Sequence, residues 1–211
     1  MTENMNKQGV LLVNLGSPDS TVLRKRPAAS AEAYESIWTE EGSPLVATSR
    51  KATKHLEKQI DLPIELAMRY QNPSIGSALE KLAKQGVDDL LLIPLFPHYA
   101  MSSFETAVER VKELISKNHK GMSLKVQPPY YDHEGYIDAL SNSMRPFLEA
   151  PFDKLLFSYH SIPKRHVTNY NAQTKSHCLK TEDCCEGCHP VHDVCYRAQC
   201  LKTTQAVVER L

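Results

Sequence analysis

Short apolar runs alternate with amphipathic stretches along this chain. Residues 9–20, GVLLVNLGSPDS, carry an apolar run from Val10 to Val13 that ends in a Gly/Ser/Pro turn, the pattern of a buried strand. SAEAYESIWTEEG reads as a helix capped by Ser30 that stops before Gly42, Ser43 and Pro44. In PLVATSRKATKHLEKQI, the residues Leu45, Val46, Ala52, Leu56 and Ile60 form an apolar stripe, which predicts a second helix. LPIELAMRY is the next strand. NPSIGSALEKLAKQGV predicts a helix from Asn72-Pro73, with Ile75, Leu79 and Leu82 on one face and Gly86 as its stop. DDLLLIPLFPHY is apolar enough for a strand buried on both faces. SSFETAVERVKELISK predicts an amphipathic helix capped by Ser102 or Ser103, LKVQPPYY a strand, and GYIDALSNSMRPFLEA a helix. DKLLFSYHSIP predicts a fifth strand that runs out into a loop, and AQCLKTTQAVVERL a closing helix.

Strands alternating with helices predict an α/β fold: a parallel sheet covered by helices on both faces, within a single domain spanning residues 1–211. Ligands of such sheets bind outside the carboxyl ends of the strands. That rule selects the loops 14–19, 69–73, 96–103 and 159–165, all rich in polar, aromatic or Gly/Pro residues. No solenoid repeat and no low-complexity segment interrupts the pattern.

Charge narrows the partners. Lysine and arginine total 25, aspartate and glutamate 25, so the formal net charge is zero. There is no electrostatic case for nucleic acid. The polar start MTENMNKQ has no signal-peptide core, and no run approaches the roughly 18 apolar residues of a membrane span. A cytoplasmic protein is expected, and a peripheral membrane contact is compatible with it. Nothing in the pattern speaks to the oligomeric state.

Several loop residues could carry chemistry. His160, in FSYHSIPKR, follows the predicted fifth strand, where an imidazole can accept a proton, ligate a metal, or simply hold a loop by a hydrogen bond. The turn at Gly16 could bring backbone close to a ligand, but it is no GxGxxG, and on this stretch alone a tight turn is the favoured account. Arg69 could clamp a carboxylate and Tyr70 could stack on an aromatic ligand; a surface arginine over a core tyrosine explains the pair equally. His98, Tyr99, Met101 and Ser102 suit the wall of a flat apolar ligand, or ordinary core.

The cysteines are more specific. All six lie within residues 177–200, spaced Cys178-x5-Cys184-Cys185-x2-Cys188-x6-Cys195-x4-Cys200, with His177, His189 and His192 interleaved. Packing would scatter cysteines through the core. In a reducing compartment, clustered thiols point to a metal before disulfides. Four thiolates suit zinc or an iron–sulfur cluster, and spacing alone leaves both the metal and the ligand set open.

Taken together, the phrases GVLLVNLGSPDS, RPAASAEAYESIWTEEGSPL, ELAMRYQNPSI, LLLIPLFPHYAMSS, YDHEGYIDAL and FSYHSIPKR resemble the ferrochelatase family. These enzymes, lyases by class, insert ferrous iron into a porphyrin at the end of haem synthesis. The match covers most of the chain in the family's order. It implies a chelatase-like, Rossmann-like lobe, Fe2+ as substrate iron, and protoporphyrin IX or coproporphyrin III as the porphyrin. By resemblance His160 is the active-site histidine, taking pyrrole protons or binding the incoming metal. Arg26, Tyr34 and Ser43 stand where the family contacts the porphyrin, and Arg69 and Tyr70 match another pair lining the pocket. Residues 177–200 look like the internal insertion of bacterial members that carry a 2Fe-2S cluster. On that resemblance Cys178, Cys184, Cys185 and Cys195 are its ligands, with Cys188 in reserve and Cys200 set apart in the closing helix. Zinc is the alternative metal.

Two departures from the family pattern bear on activity. Family members are usually longer, with a second α/β lobe that supplies an acidic residue facing the histidine. They also carry a helical lip between the NLGSPD turn and the RP…SAEAY phrase, whereas Ser20 here stands only six residues before Arg26. The resemblance therefore implies an incomplete porphyrin site and impaired catalysis by this shortened chain. A porphyrin- or metal-binding α/β module without catalysis is the alternative, and a cobalt-chelating enzyme of similar fold a further one.

Overall fold

The computed structural model describes residues 6–17 and 35–211. By their contacts they divide into two compact units. The first holds the chain up to Leu95 together with Thr106–Gln127; the second holds Phe96–Glu105 and Pro128–Leu211.

The first unit is built on four parallel strands, β1 (Gln8–Asn14), β2 (Ile64–Met68), β3 (Asp89–Pro94) and β4 (Ser123–Val126), in the order β2-β1-β3-β4. They are joined through α1 (Pro44–Glu57), α2 (Ile75–Lys84) and α3 (Thr106–Asn118). The chain steps one way from β1 to β2 and the other way from β2 to β3 and on to β4. Right-handed crossovers then place α1 on one face of the sheet and α2 and α3 on the other. The core follows that division. Val10, Leu12, Ile64, Leu66 and Met68 pack with Val46, Leu56 and Ile60. Leu11 and Val13, out of phase by one residue, turn to the opposite face. There α2 contributes Leu79 and Leu82 and α3 contributes Val111, all buried. β3 alternates rather than burying both faces: Leu90 and Leu92 are fully buried, while Leu91 and Ile93 are half-buried.

Helix starts are set by caps. Ser74 Oγ accepts from the Ser77 N–H at 3.2 Å, so α2 begins at Ile75 rather than at Asn72-Pro73. Residues Met101–Glu105 form a π-helical turn, and the regular helix expected from Ser102 or Ser103 begins at Thr106. The first part of the helix predicted from Ser30 lies outside the described residues; from Glu35 onward only a turn remains before Gly42.

Gly16 fixes the turn after β1. The Arg69 N–H donates to Asn14 O at 2.7 Å and the Tyr70 N–H to Leu15 O at 2.9 Å, stitching the ends of β1 and β2 together. Gly16 stands at φ +94°, and a Cβ there would lie 2.1 Å from the Tyr70 carbonyl oxygen. Only glycine fits both the backbone angle and the approach.

The second unit contains α4 (Glu134–Met144), a 3₁₀ turn (Arg145–Phe147), α5 (Lys164–Thr168), α6 (Ala172–His177), a second 3₁₀ turn (Pro190–Val194) and α7 (Tyr196–Arg210). The strand predicted over 153–163 does not form. No residue of that stretch pairs with the sheet among the described residues, and Leu156 is 86% exposed. An apolar run specifies a strand only where a neighbour accepts its backbone hydrogen bonds. Here the end of the stretch is tied by its side chains instead.

In the second unit's interior Val167, Val191 and Ala198 share one cluster with four cysteines. The buried stripe of α7 includes Gln199 and Thr203. The Gln199 amide is fully employed. Its Nε2 donates to His192 O at 3.0 Å and Asp193 O at 2.9 Å, and its Oε1 accepts from the Tyr99 N–H at 2.6 Å. No helix among the described residues is long and apolar enough to cross a membrane.

Two stability changes follow. Gly16→Ala should cost at least about 2 kcal/mol in urea unfolding, from a left-handed angle plus a backbone clash, whereas Gly42→Ala, with φ +91° and open space around it, should cost only about 1 kcal/mol. Gln199→Leu should destabilise by about 3 kcal/mol, because the Tyr99 N–H and the Asp193 carbonyl lose their Gln199 partner and the His192 carbonyl keeps only the Cys195 N–H.

Candidate functional site

His160 is exposed and lines an apolar cavity of about 380 Å³ in the second unit. Tyr159, Ile162, Val167, Tyr196 and Leu201 form its apolar walls, and Lys164 and Arg197 are the cationic side chains on it. The tie that replaces the missing strand runs through hydroxyls. Tyr159 Oη lies 2.8 Å from Thr204 Oγ1, which itself donates to Cys200 O at 3.0 Å, so the phenol is the donor. The Tyr159 phenol thus holds the His160 segment on α7.

Behind this wall stands His98. Its ring meets Tyr159 and Tyr196 edge-on, with centroids 5.7 and 5.8 Å away. Thr203 Oγ1 gives its proton to Tyr131 O at 2.7 Å, so it accepts from His98 Nε2–H at 2.9 Å, which fixes the imidazole tautomer. Burial pulls the His98 pKa below the ordinary histidine value and favours the neutral ring. Tyr196 is pushed up to about 12, chiefly by burial and then by its neighbour Cys200. The Tyr196, Arg197 and Cys200 contributions were missed from sequence. The available signal was the i, i+4 spacing of Tyr196 and Cys200, which puts both on one helix face.

Arg69, Tyr70 and Ser43 belong to the first unit. Arg69 Nε donates to Thr106 O and Thr106 Oγ1 at 3.0 and 2.9 Å, and its guanidinium lies 4.6 Å from the centre of the Tyr70 ring. It lines a polar hollow of about 480 Å³ with Gln71, Ser74 and Arg110. Tyr70 is half exposed. Ser43 is buried at the start of α1, where its carbonyl accepts from the Ala47 N–H at 2.9 Å. Arg26 and Tyr34 lie outside the described residues.

The six thiols separate by environment. Cys178, Cys184, Cys185 and Cys195 are buried in one cluster with Val167, Val191 and Ala198. Cys188 is exposed, and Cys200 is buried on α7 beside the His160 cavity. None is in a disulfide. The local chain explains the gathering. Asn171 and Thr174 form a capping box that starts α6, which ends at His177 and delivers Cys178. The turn Pro190–Val194 delivers Cys195, whose N–H donates to His192 O at 3.2 Å.

Cys184 and Cys185 Sγ are 3.9 Å apart. Two thiolates on one tetrahedral metal would stand about 3.8 Å apart at a metal–sulfur distance of about 2.3 Å. The Cys184 sulfur also accepts from the Leu179 N–H at 3.4 Å and from Arg197 Nη1 at 3.6 Å, donors suited to a thiolate. Burial, then neighbouring thiols, push Cys178 and Cys185 up to about 12. Without a cation these sulfurs stay protonated at neutral pH; a metal would displace the protons. The donor set therefore fits a four-thiolate centre, although no group of three or more His, Cys, Asp or Glu among the described residues is already closed to metal-holding geometry.

The family model for ferrochelatase matches residues 19–211. The ferrochelatase of Ectopseudomonas mendocina (strain ymp) is 40% identical over 241 aligned positions, covering 98% of this chain and 70% of that protein. The ferrochelatase of Opitutus terrae is 39% identical over 242 positions, with the same coverage. Since the chain has 211 residues, these relatives hold residues within the matched span that it lacks. Among solved structures, SirB from Bacillus subtilis with Fe3+ is similar at 18% identity and a TM-score of 0.49, over 70% of this chain and 49% of that one. The chain belongs to the ferrochelatase family, the enzymes that insert ferrous iron into a porphyrin in haem biosynthesis.

Proposed function

We propose that His160 is the group on this chain that acts on the porphyrin during iron insertion, and that residues 177–200 hold a 2Fe-2S cluster. The observation that carries the first reading is the exposed imidazole on the wall of an apolar cavity, its segment held on α7 by Tyr159. Insertion replaces two pyrrole N–H protons with one Fe2+, so charge balances and no electron moves. A base on one face of the macrocycle accepts those protons, and the same nitrogen can instead meet the incoming iron. The ring hides its nitrogens while flat, so a site that holds it puckered favours the transition state. Arg26, Tyr34, Ser43, Arg69 and Tyr70 are the remaining porphyrin contacts in this reading; guanidinium groups suit propionates and phenols suit the ring.

Cys178, Cys184, Cys185 and Cys195 would ligate the cluster. The shared burial of these four and the exposure of Cys188 support that choice. When bound, the centre cross-links the segments of the insertion. Six unpaired cysteines also suit a reducing, cytoplasmic setting.

Two measurements test these readings. His160→Ala should lower iron or zinc insertion by about 100-fold or more while porphyrin affinity, read by fluorescence titration, changes little. Normal insertion by that variant would remove His160 from the chemistry. Anaerobically purified protein should show the visible absorption of a 2Fe-2S centre. Serine at 178, 184, 185 or 195 should abolish it, while Cys188→Ser and Cys200→Ser retain it. A colourless zinc protein would decide for the alternative metal.

A further inference from the structure

Three imidazoles stand beside the thiol cluster, and iron insertion uses none of them. His177 and His189 stack with centroids 4.0 Å apart and planes 16° from parallel. His192 lies 6.0 and 5.9 Å from the other two and is 1% exposed. Two of the rings converge on one atom. His177 Nε2 lies 2.8 Å and His192 Nε2 3.0 Å from the carbonyl oxygen of Cys184. A carbonyl only accepts, so both nitrogens carry protons and donate. One oxygen has two lone pairs, and both are filled by buried or half-buried rings.

The identity of that carbonyl gives the arrangement its meaning. It belongs to the peptide that joins Cys184 to Cys185. A peptide is planar, so two bonds to its oxygen restrain the plane on which both α-carbons sit, and with it the backbone from which the two thiols project. Each donor ring is also tied to another thiol. His177 immediately precedes Cys178, whose N–H donates to Thr174 O at 2.9 Å. The His192 carbonyl accepts from the Cys195 N–H and from Gln199 Nε2. All the chain segments that carry the four buried thiols therefore meet at a single oxygen. His189 closes the arrangement: its Nδ1 accepts from the Val191 N–H at 3.2 Å, and its ring backs His177.

We infer that His177 and His192 are positioning residues for the cysteine centre, clamping the Cys184–Cys185 peptide so that Cys178, Cys184, Cys185 and Cys195 are gathered before any metal arrives. The clamp rests on the proposed ligand set, yet it is a property of the metal-free chain and can be measured there.

The test is residue-resolved alkylation of the reduced, metal-free protein with iodoacetamide, followed by mass spectrometry. His192→Leu removes one donor and keeps an apolar ring-sized group. Alkylation of Cys184 and Cys185 should accelerate about tenfold, the effect of one buried hydrogen bond, while exposed Cys188 and Cys200 on α7 keep their rates. His192→Gln, which can present an amide N–H near the lost Nε2–H, should restore most of the protection. If His192→Leu also exposes Cys200, packing around that ring has been lost, and His177→Leu on the half-buried partner decides by the same comparison. Unchanged rates at Cys184 and Cys185 in a leucine variant that leaves Cys200 protected would overturn the clamp. In the metal-loaded protein the same variants should release iron to a chelator about tenfold faster than wild type. Wild type without an iron–sulfur absorption would sink the cluster assignment alone, because the alkylation comparison does not use it.

Discussion

The interior of the second unit encloses polar side chains that must be paired: Thr174, His192, Gln199 and Thr203 are buried and each is hydrogen-bonded. Gln199 is the joint of that interior. Its amide reaches the Tyr99 backbone on one side and the turn that carries His192 on the other, from a position with no exposed surface. Through His192 the same bonds reach the Cys184 carbonyl, and through α7 they share a helix with Tyr196, Arg197 and Cys200 on the wall of the His160 cavity. A buried donor left without a partner costs more than a lost aliphatic contact of similar size. The unit therefore has little freedom to repack around any one of these residues.

Much of the fold was legible in the residues. β1 to β4 and their crossover helices followed from apolar runs and amphipathic stripes, because a parallel sheet buries its strands between helices and the period of each run records that burial. The failures are informative. The apolar stretch at 153–163 looks like a strand from its side chains, but pairing belongs to the neighbour as much as to the run. The start of α2 moved to Ile75 because Ser74 supplies the capping oxygen, a choice among adjacent polar residues that periodicity does not make.

Site legibility was uneven for a similar reason. Sulfur packed into 24 residues signals itself, and the separation of Cys178, Cys184, Cys185 and Cys195 from Cys188 appears as burial. His160 stands out through the phrase around it. Tyr196, Arg197 and Gln199 carry no such mark. Their importance comes from α7 lying against segments up to a hundred residues away, as the Gln199–Tyr99 bond does. Such pairings are invisible to local pattern. Arg69 illustrates the intermediate case: its position at a strand end was readable, but its anchor on Thr106 was not.

Cys188 sits outside the protected group, next to Gly187 at φ +64°, on the solvent side of the insertion. Hydrogen peroxide would reach its sulfur before the four enclosed ones. Oxidative damage in this segment would thus begin as a sulfenic acid on a thiol with no assigned ligand, at the rim of the insertion.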